Sequence, residues 1–270
     1  MKKLLLTAIL ASIVALLAAC GGSDEAEEGL LEDGKLKVGV TAGPHEEILE
    51  KVSELAEEEG LEIEIVSFSD YVMPNVSLSE GELDLNSFQT EPFFDHMNEE
   101  RDLGLIKVAD TVTFPMGIYS EKITDLSELE DGAQIALPGD PTNSGRALLL
   151  FEQAGLIKLE EGLGVNATVN DIVENPNNYE FIELDSAQIP RQLGEVDIAA
   201  INSNFAMDSG LSPKDDSIFI EQDSTFVNLI AVREENKDDE ALKQFIEIYQ
   251  SDEVKTFVEE SFSGSVVPGW

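Results

Sequence analysis

Hydrophobic and polar positions repeat with two different periods along this chain, and the switches between them lay out its elements. Lys35-Leu36-Lys37-Val38-Gly39-Val40-Thr41-Ala42 alternates and then turns small, as a strand does. Gly43-Pro44-His45 breaks it. From Glu46 to Glu59, Ile48, Leu49, Val52, Leu55 and Ala56 recur at helical spacing, and Gly60 ends the run. Leu61 to Phe68 alternates cleanly again. Strand, helix and strand in this order predict a parallel pair with a right-handed crossover. The same reading predicts a short helix over 75–80, a strand over 83–88, a helix over 91–101 and a strand over 105–109. Thr111 to Ser120 is an extended run containing Pro115. Beyond it the pattern predicts a strand over 133–137, helices over 143–154 and 168–174, and a strand over 180–184. A helix over 186–193, a strand over 196–201, a helix over 203–209 and strands over 217–221 and 227–233 follow, with helices over 239–250 and 252–262 at the end.

Two α/β units joined by two extended runs, one near Phe114 and one near Phe226, predict two lobes that the chain crosses twice. Residues 35–113 with 227–270 form the first lobe and 114–226 the second, and the two crossings act as hinges. Ligands in open α/β folds sit beyond the carboxyl ends of strands. The turns there are polar and aromatic: Asp70-Tyr71, Asn86-Ser87-Phe88-Gln89, Asp140 to Arg146, Asn202-Ser203-Asn204 and Phe226-Val227-Asn228.

The most telling turn is Pro138-Gly139-Asp140-Pro141-Thr142-Asn143-Ser144-Gly145-Arg146. It links a buried strand to a helix that Thr142, Asn143 or Ser144 can cap. A helix start with free N–H groups, next to a guanidinium that offers two parallel donors, suits one carboxylate. Locally, Arg146 reads either as an anion anchor for a small ligand or as one half of an ordinary ion pair. Phe88 and Phe93 read as core or as pocket wall, and Tyr71 stands evenly between the two. Asn202 reads as a helix cap or as a ligand contact.

The amino-terminal segment changes the setting. Lys2 and Lys3 precede an apolar run from Leu4 to Ala19 that is short for a membrane span. It ends Leu17-Ala18-Ala19-Cys20-Gly21, and Cys20 is the one cysteine in the chain. This segment resembles a bacterial lipoprotein signal, which implies cleavage before Cys20 and lipid, palmitate included, on that residue. Residues 1–20 are then a signal peptide and 21–34 an acidic tether. The expected location is the outer face of the cell membrane, held there by lipid. A single cysteine excludes an intramolecular disulfide.

Charge narrows the partners. Asp and Glu number 56 against 16 Lys and Arg, a formal −40. Such a surface repels nucleic acid and anionic headgroups. The carboxylates are scattered rather than clustered, which favours a solvated surface suited to salt over a cation site. His45-Glu46-Glu47 lacks the second histidine of a zinc-protease helix, and His96 lies on an acidic helix, so no metal site is expected. The chain holds no Gly-x-Ser-x-Gly elbow and no P-loop. These features point away from an enzyme and from ATP hydrolysis by this chain, with no cofactor expected.

Eight segments carry a family resemblance. They are Val38 to His45, Asp70-Tyr71-Val72-Met73-Pro74-Asn75, Leu83 to Gln89, Asp140 to Leu148, Gly155-Leu156-Ile157-Lys158-Leu159, Asp171 to Pro176, Gln188-Ile189-Pro190-Arg191 and Ala200 to Asn204. In this order they resemble the NlpA-type methionine-binding lipoproteins, the solute-binding subunits of bacterial methionine importers. The resemblance implies a two-lobed α/β fold of the periplasmic-binding-protein type, type II-like. It implies capture of L-methionine or a close analogue by lobe closure, and delivery to the permease and ATPase subunits of an ABC importer. By position, Arg146 clamps the ligand carboxylate, Asn202 and Asn228 bind the head group with its ammonium, and Tyr71, Phe88 and Phe93 wall the thioether. Thr90 stands where the family usually has His, and Phe93 and Phe226 where it usually has Tyr. Those departures bear on the ligand's side chain and leave a methionine-containing dipeptide or another amino acid as alternatives. A surface receptor or adhesin on the same fold is the rival from another class.

Overall fold

Leu36, Val38 and Val40 are fully covered, and they lie on the strand that organises the first of two sheets, β1 (Leu36–Thr41). The computed structural model describes residues 30, 31, 34–222 and 225–270. The expected signal peptide, Cys20 and most of the expected tether lie outside them. Leu30, assigned above to the tether, is instead packed in the first core, and its N–H donates to Asp239 Oδ2 at 3.1 Å. The packed body therefore reaches back at least to Leu30.

The first sheet contains β1, β2 (Ile63–Phe68), β3 (Leu85–Thr90) and β4 (Leu105–Thr113). Two strands from the end of the chain join it, β12 (Val227–Arg233) and β13 (Val267–Pro268). Its order is β13-β4-β12-β3-β1-β2. β1 pairs in parallel with β2 and β3, while β12 runs antiparallel between β3 and β4. Helix α1 (Pro44–Glu58) buries Ile48, Leu49, Val52 and Ala56 beneath this sheet, the stripe its 3.6-residue period demands. Helices α2 (Met73–Ser79) and α3 (Glu91–Arg101) follow β2 and β3. Near the carboxyl terminus, α7 (Glu240–Tyr249) and α8 (Asp252–Phe262) close over the same core.

The second sheet is β11-β5-β10-β6-β9. Its strands are β5 (Gly117–Tyr119), β6 (Gln134–Pro138), β9 (Glu180–Leu184), β10 (Ile198–Ile201) and β11 (Phe219–Ile220). Helices α4 (Pro141–Gln153), α5 (Ile189–Gln192) and α6 (Ser203–Asp208) follow β6, β9 and β10. A two-strand ribbon, β7 (Lys158–Leu159) with β8 (Ile172–Glu174), flanks α4. The chain passes from the first sheet to the second between Thr113 and Gly117, and returns between Ile220 and Val227. This is the mixed α/β architecture expected above.

Two elements depart from the periodicity. The helix expected over 168–174 is a single 3-10 turn, Val169–Asp171, followed by β8. Thr168 and Asp171 close a reciprocal capping box around that turn, and β-branched Ile172 and Val173 continue as strand. The helix expected over 186–193 is split into the 3-10 turn Ser186–Gln188 and the short α5, because Pro190 is tolerated only in a first helical turn.

One glycine is required by a close approach. A Cβ on Gly145 would stand 2.0 Å from the Val165 carbonyl oxygen, so α4 lies against the turn at 164–166 at a distance no side chain permits. That contact sets the depth at which Arg146 enters the molecule.

Candidate functional site

The carboxyl ends of β3, β6, β10 and the start of β12 converge between the two sheets, and a cleft opens there with about 360 Å³ of unfilled space, its mouth included. All seven residues singled out from the sequence, Arg146, Asn202, Asn228, Tyr71, Phe88, Phe93 and Thr90, line this one cleft. They come from five separate stretches of chain, three in the first lobe and two in the second.

Arg146 sits in the second turn of α4 and is 4% exposed. Its guanidinium touches both crossings between the sheets. Nη2 donates to the Phe114 carbonyl at 2.7 Å in the first crossing. In the second, Nε and Nη2 donate to Glu221 Oε1 and Oε2 at 3.0 and 2.6 Å, and the Phe226 ring lies 4.4 Å beneath the guanidinium carbon. Glu221 Oε2 also accepts from the Met116 N–H at 3.2 Å. So the buried pair and the stacked ring hold a cation at the two crossings between the sheets. Arg146 thus forms the ion pair that was one of its two readings and also lines the cleft, and Glu221 is a partner that sequence reasoning missed.

The expected capping of α4 is corrected. Asp140, not Thr142, Asn143 or Ser144, is the N-cap, and its Oδ1 accepts from the Asn143 N–H at 2.9 Å. A carboxylate thus already occupies the helix start, and the receptor for an anion is reduced to the guanidinium. The side chain of Asn143, not spent on capping, lines the cleft and links Asp140 to Asn202.

Asn202 occupies the N-cap position of α6 without using its side chain to cap. Its Nδ2 donates to Asn143 Oδ1 at 2.8 Å, and its buried Oδ1 has no partner. Asn204 accepts from the Tyr71 hydroxyl at 2.6 Å, and its buried Nδ2 has no partner. Buried amide groups are rarely left unpaired in a finished core. Asn228 pairs in register with Thr90, and its Nδ2 donates to the Val112 carbonyl at 3.0 Å. Thr90, the N-cap position of α3, also makes no cap bond and faces the cleft.

The aromatic wall is continuous. Tyr71 stacks 4.7 Å from Phe205 across the lobes and lies 5.6 Å from Phe93 and 6.0 Å from Phe88. Burial, reinforced by the Asp140 charge, pushes the Tyr71 hydroxyl pKa up, so it remains a donor. A buried amide net supports this wall from behind: Gln89 Nε2 and Asn86 Nδ2 both donate to Asn75 Oδ1, at 2.7 and 2.8 Å.

His45, set aside above as a metal ligand, also faces this site. It lies in the first turn of α1, is 4% exposed, lines the cleft, and its Nδ1 has no partner. Its ring packs 4.5 Å from Phe114. Burial lowers its pKa to about 3, so the imidazole is neutral. The sequence signal that could have found it is the Gly43-Pro44 break, which aims the first turn of α1 at the second lobe. Gly43, at φ 82°, lets the chain enter the helix there, against Asp208. His96, by contrast, lies half-exposed on α3 with its Nε2 3.6 Å from a Glu100 carboxylate oxygen. Among the described residues no three His, Cys, Asp or Glu side chains gather as a metal would require. No helix among them is long and apolar enough to cross a membrane.

A two-lobed mixed α/β body with a polar, aromatic-walled cleft between its lobes is the architecture of substrate-binding proteins, and known structures of that kind match it. The chain belongs to the NlpA lipoprotein family, whose pattern it matches over residues 36–270. It is 45% identical over 258 residues to the D-methionine-binding lipoprotein MetQ of Salmonella typhimurium, covering 94% of this chain and 93% of that one. Its fold superimposes on a nutrient binding protein from Burkholderia cenocepacia bound to methionine with a TM-score of 0.84, at 44% identity, over 87% of this chain and all of that one. A crystal structure of the methionine binding protein MetQ gives a TM-score of 0.85 at 45% identity, over 87% of this chain and 98% of that one.

Proposed function

We propose that the protein is the solute-binding component of an ABC importer, that it captures methionine or a close analogue in the interlobe cleft, and that it is held by lipid on Cys20 at the outer face of the cell membrane. The observation that carries the reading is the set of buried, unpartnered polar atoms facing one cleft: Asn202 Oδ1, Asn204 Nδ2 and His45 Nδ1, beside the Arg146 cation. A zwitterion meets such a set. Its carboxylate pairs with the positive charge of Arg146, and its ammonium with amide oxygens. The thioether lies against Tyr71, Phe88 and Phe93, where sulfur at ring edges is favourable. The relatives' names and the methionine-bound neighbour support this assignment.

The ligand contacts both lobes, so it stabilises the closed arrangement over the open one, and only that difference shifts the population. The closed form docks on the permease, whose ATPase supplies the energy. An enzyme on this fold would need an acid–base pair at the cleft. The nearest carboxylate to Arg146, Glu221, is instead locked in its ion pair.

Calorimetry with L- and D-methionine tests the reading, together with mass spectrometry of ligand carried through native purification. Saturable binding with a stoichiometry of one is expected. Absence of binding, with another small molecule recovered from the cleft, overturns methionine as the ligand.

A further inference from the structure

An asparagine amide has nearly the same shape whichever way it is turned, yet one end donates and the other accepts. Which end of Asn202 faces the cleft therefore decides what the cleft recognises. We propose that Asp140 and Asn143 form a relay that holds Asn202 with its oxygen toward the ligand, and that this relay makes the cleft selective for a free α-ammonium group. The inference deepens the methionine reading and rests on it.

The relay follows from one-way chemistry. An ionised carboxylate can only accept hydrogen bonds. Asp140 accepts from Asn143 Nδ2 through both oxygens, at 3.0 and 3.1 Å. Thr142 Oγ1, at 3.2 Å, and Ser186 Oγ, at 3.4 Å, donate to it as well. With its Nδ2 committed to Asp140, Asn143 has only Oδ1 to offer its other neighbour. That oxygen takes Asn202 Nδ2 at 2.8 Å. Asn202 Oδ1 is what remains, buried and unpartnered at the cleft. Each amide dipole is turned the same way, so the negative end of the chain points at the ligand and the Asp140 charge reinforces it. Asp140 and Asn143 are positioning residues: they act through Asn202.

The test compares two ligands of equal size in full-length protein by calorimetry. One is L-methionine. The other is its 2-hydroxy analogue, in which a hydroxyl that both donates and accepts replaces the ammonium. Asp140→Asn keeps a side chain able to cap α4 but removes the one-way acceptor, so both amides can turn. In that variant methionine affinity is expected to fall about 10-fold, the equivalent of ~1.4 kcal/mol. Affinity for the hydroxy analogue is expected to stay within about twofold, so the preference between the two contracts. The double variant Asp140→Asn/Asn143→Asp restores the direction of the relay, because the carboxylate then at position 143 accepts from both neighbours. It is expected to recover most of the wild-type preference. Thermal melts of each variant separate loss of fold from loss of discrimination. An unchanged preference in Asp140→Asn, equal losses for both ligands, or no recovery in the folded double variant overturns the relay. Wild-type protein that binds neither ligand overturns the methionine reading itself, and the relay with it.

Discussion

The Tyr71 hydroxyl donates to Asn204 Oδ1 at 2.6 Å and so joins the turn after β2 in the first lobe to α6 in the second. This is a direct side-chain bond across the cleft, made by a residue that also walls it. Tyr71→Phe keeps the ring against Phe205 and Phe93 but leaves the Asn204 oxygen unpaired. Loss of one such bond costs about 1 kcal/mol, or roughly fivefold in affinity. Calorimetry measures the loss, and small-angle scattering without ligand should show a larger radius of gyration as the open arrangement gains population.

Arg146 and Glu221 form a pair with side chains only 5% and 9% exposed. Removing one partner strands the other charge. Arg146→Ala is expected to cost about 3–5 kcal/mol of stability and to weaken methionine binding at least tenfold. Arg146→Ala/Glu221→Ala should recover much of the stability, because no charge is left buried, and none of the affinity. Chemical denaturation and calorimetry on the same samples separate the two effects; recovery of binding in the double variant would remove Arg146 from the ligand's partners.

Acid should weaken the fold through His45. Its pKa is lowered by burial to about 3 from an ordinary 6.5. Between those values the unfolded chain binds a proton that the folded protein does not. The contribution is therefore fully present above pH 6.5 and is lost as pH falls toward 3, by up to about 1.4 kcal/mol per pH unit. Asp84, whose pKa burial raises, works in the opposite direction in the acid range. His45→Gln should flatten the ligand-free stability profile between pH 7 and pH 5 by about 2 kcal/mol. Parallel profiles for the two proteins would contradict this.

Gly145→Ala should destabilise the second lobe. The added methyl meets backbone, not a movable side chain, at the Val165 carbonyl. Overpacking of this kind costs about 1–3 kcal/mol, and α4 must shift to relieve it. A lowered melting temperature is expected, along with weaker methionine binding as Arg146 moves with the helix.

With a formal charge of −40, self-repulsion opposes the compact state, and added salt screens it. Unfolding followed from low to high ionic strength should show stability rising with salt. Equal stability throughout would mean that the exposed carboxylates are spaced widely enough not to interact.

Much of this is legible in the chain. Helix α3, Glu91–Arg101, begins and ends where the 3.6-residue pattern places it, because Pro92 marks its first turn and apolar Phe93, Phe94 and Met97 share one face. The seven site candidates also meet in one cleft. Taken locally, each reads equally well as core, cap or ion pair; it is the family resemblance that gathers them into one set. The 168–174 segment misleads, because one turn of capping box and β-branched residues imitates the start of a helix. Glu221 is not readable at all. It lies 75 residues from Arg146, in a chain with 56 acidic residues. Nothing local distinguishes this inward-turned carboxylate from the others.

Periodicity, turn chemistry and charge are local, and they were enough to specify two α/β units, their two crossings and a strongly acidic chain. The direction of each hydrogen bond was not local. Whether Asn202 offers an oxygen or an N–H to the cleft depends on Asn143 and, through it, on Asp140, and those residues meet only when β10 and β6 lie side by side. Burial of His45 likewise requires Phe114 from another element against it. Donor, acceptor and protonation state are properties of neighbours, and neighbours distant in the chain exist only once it has folded.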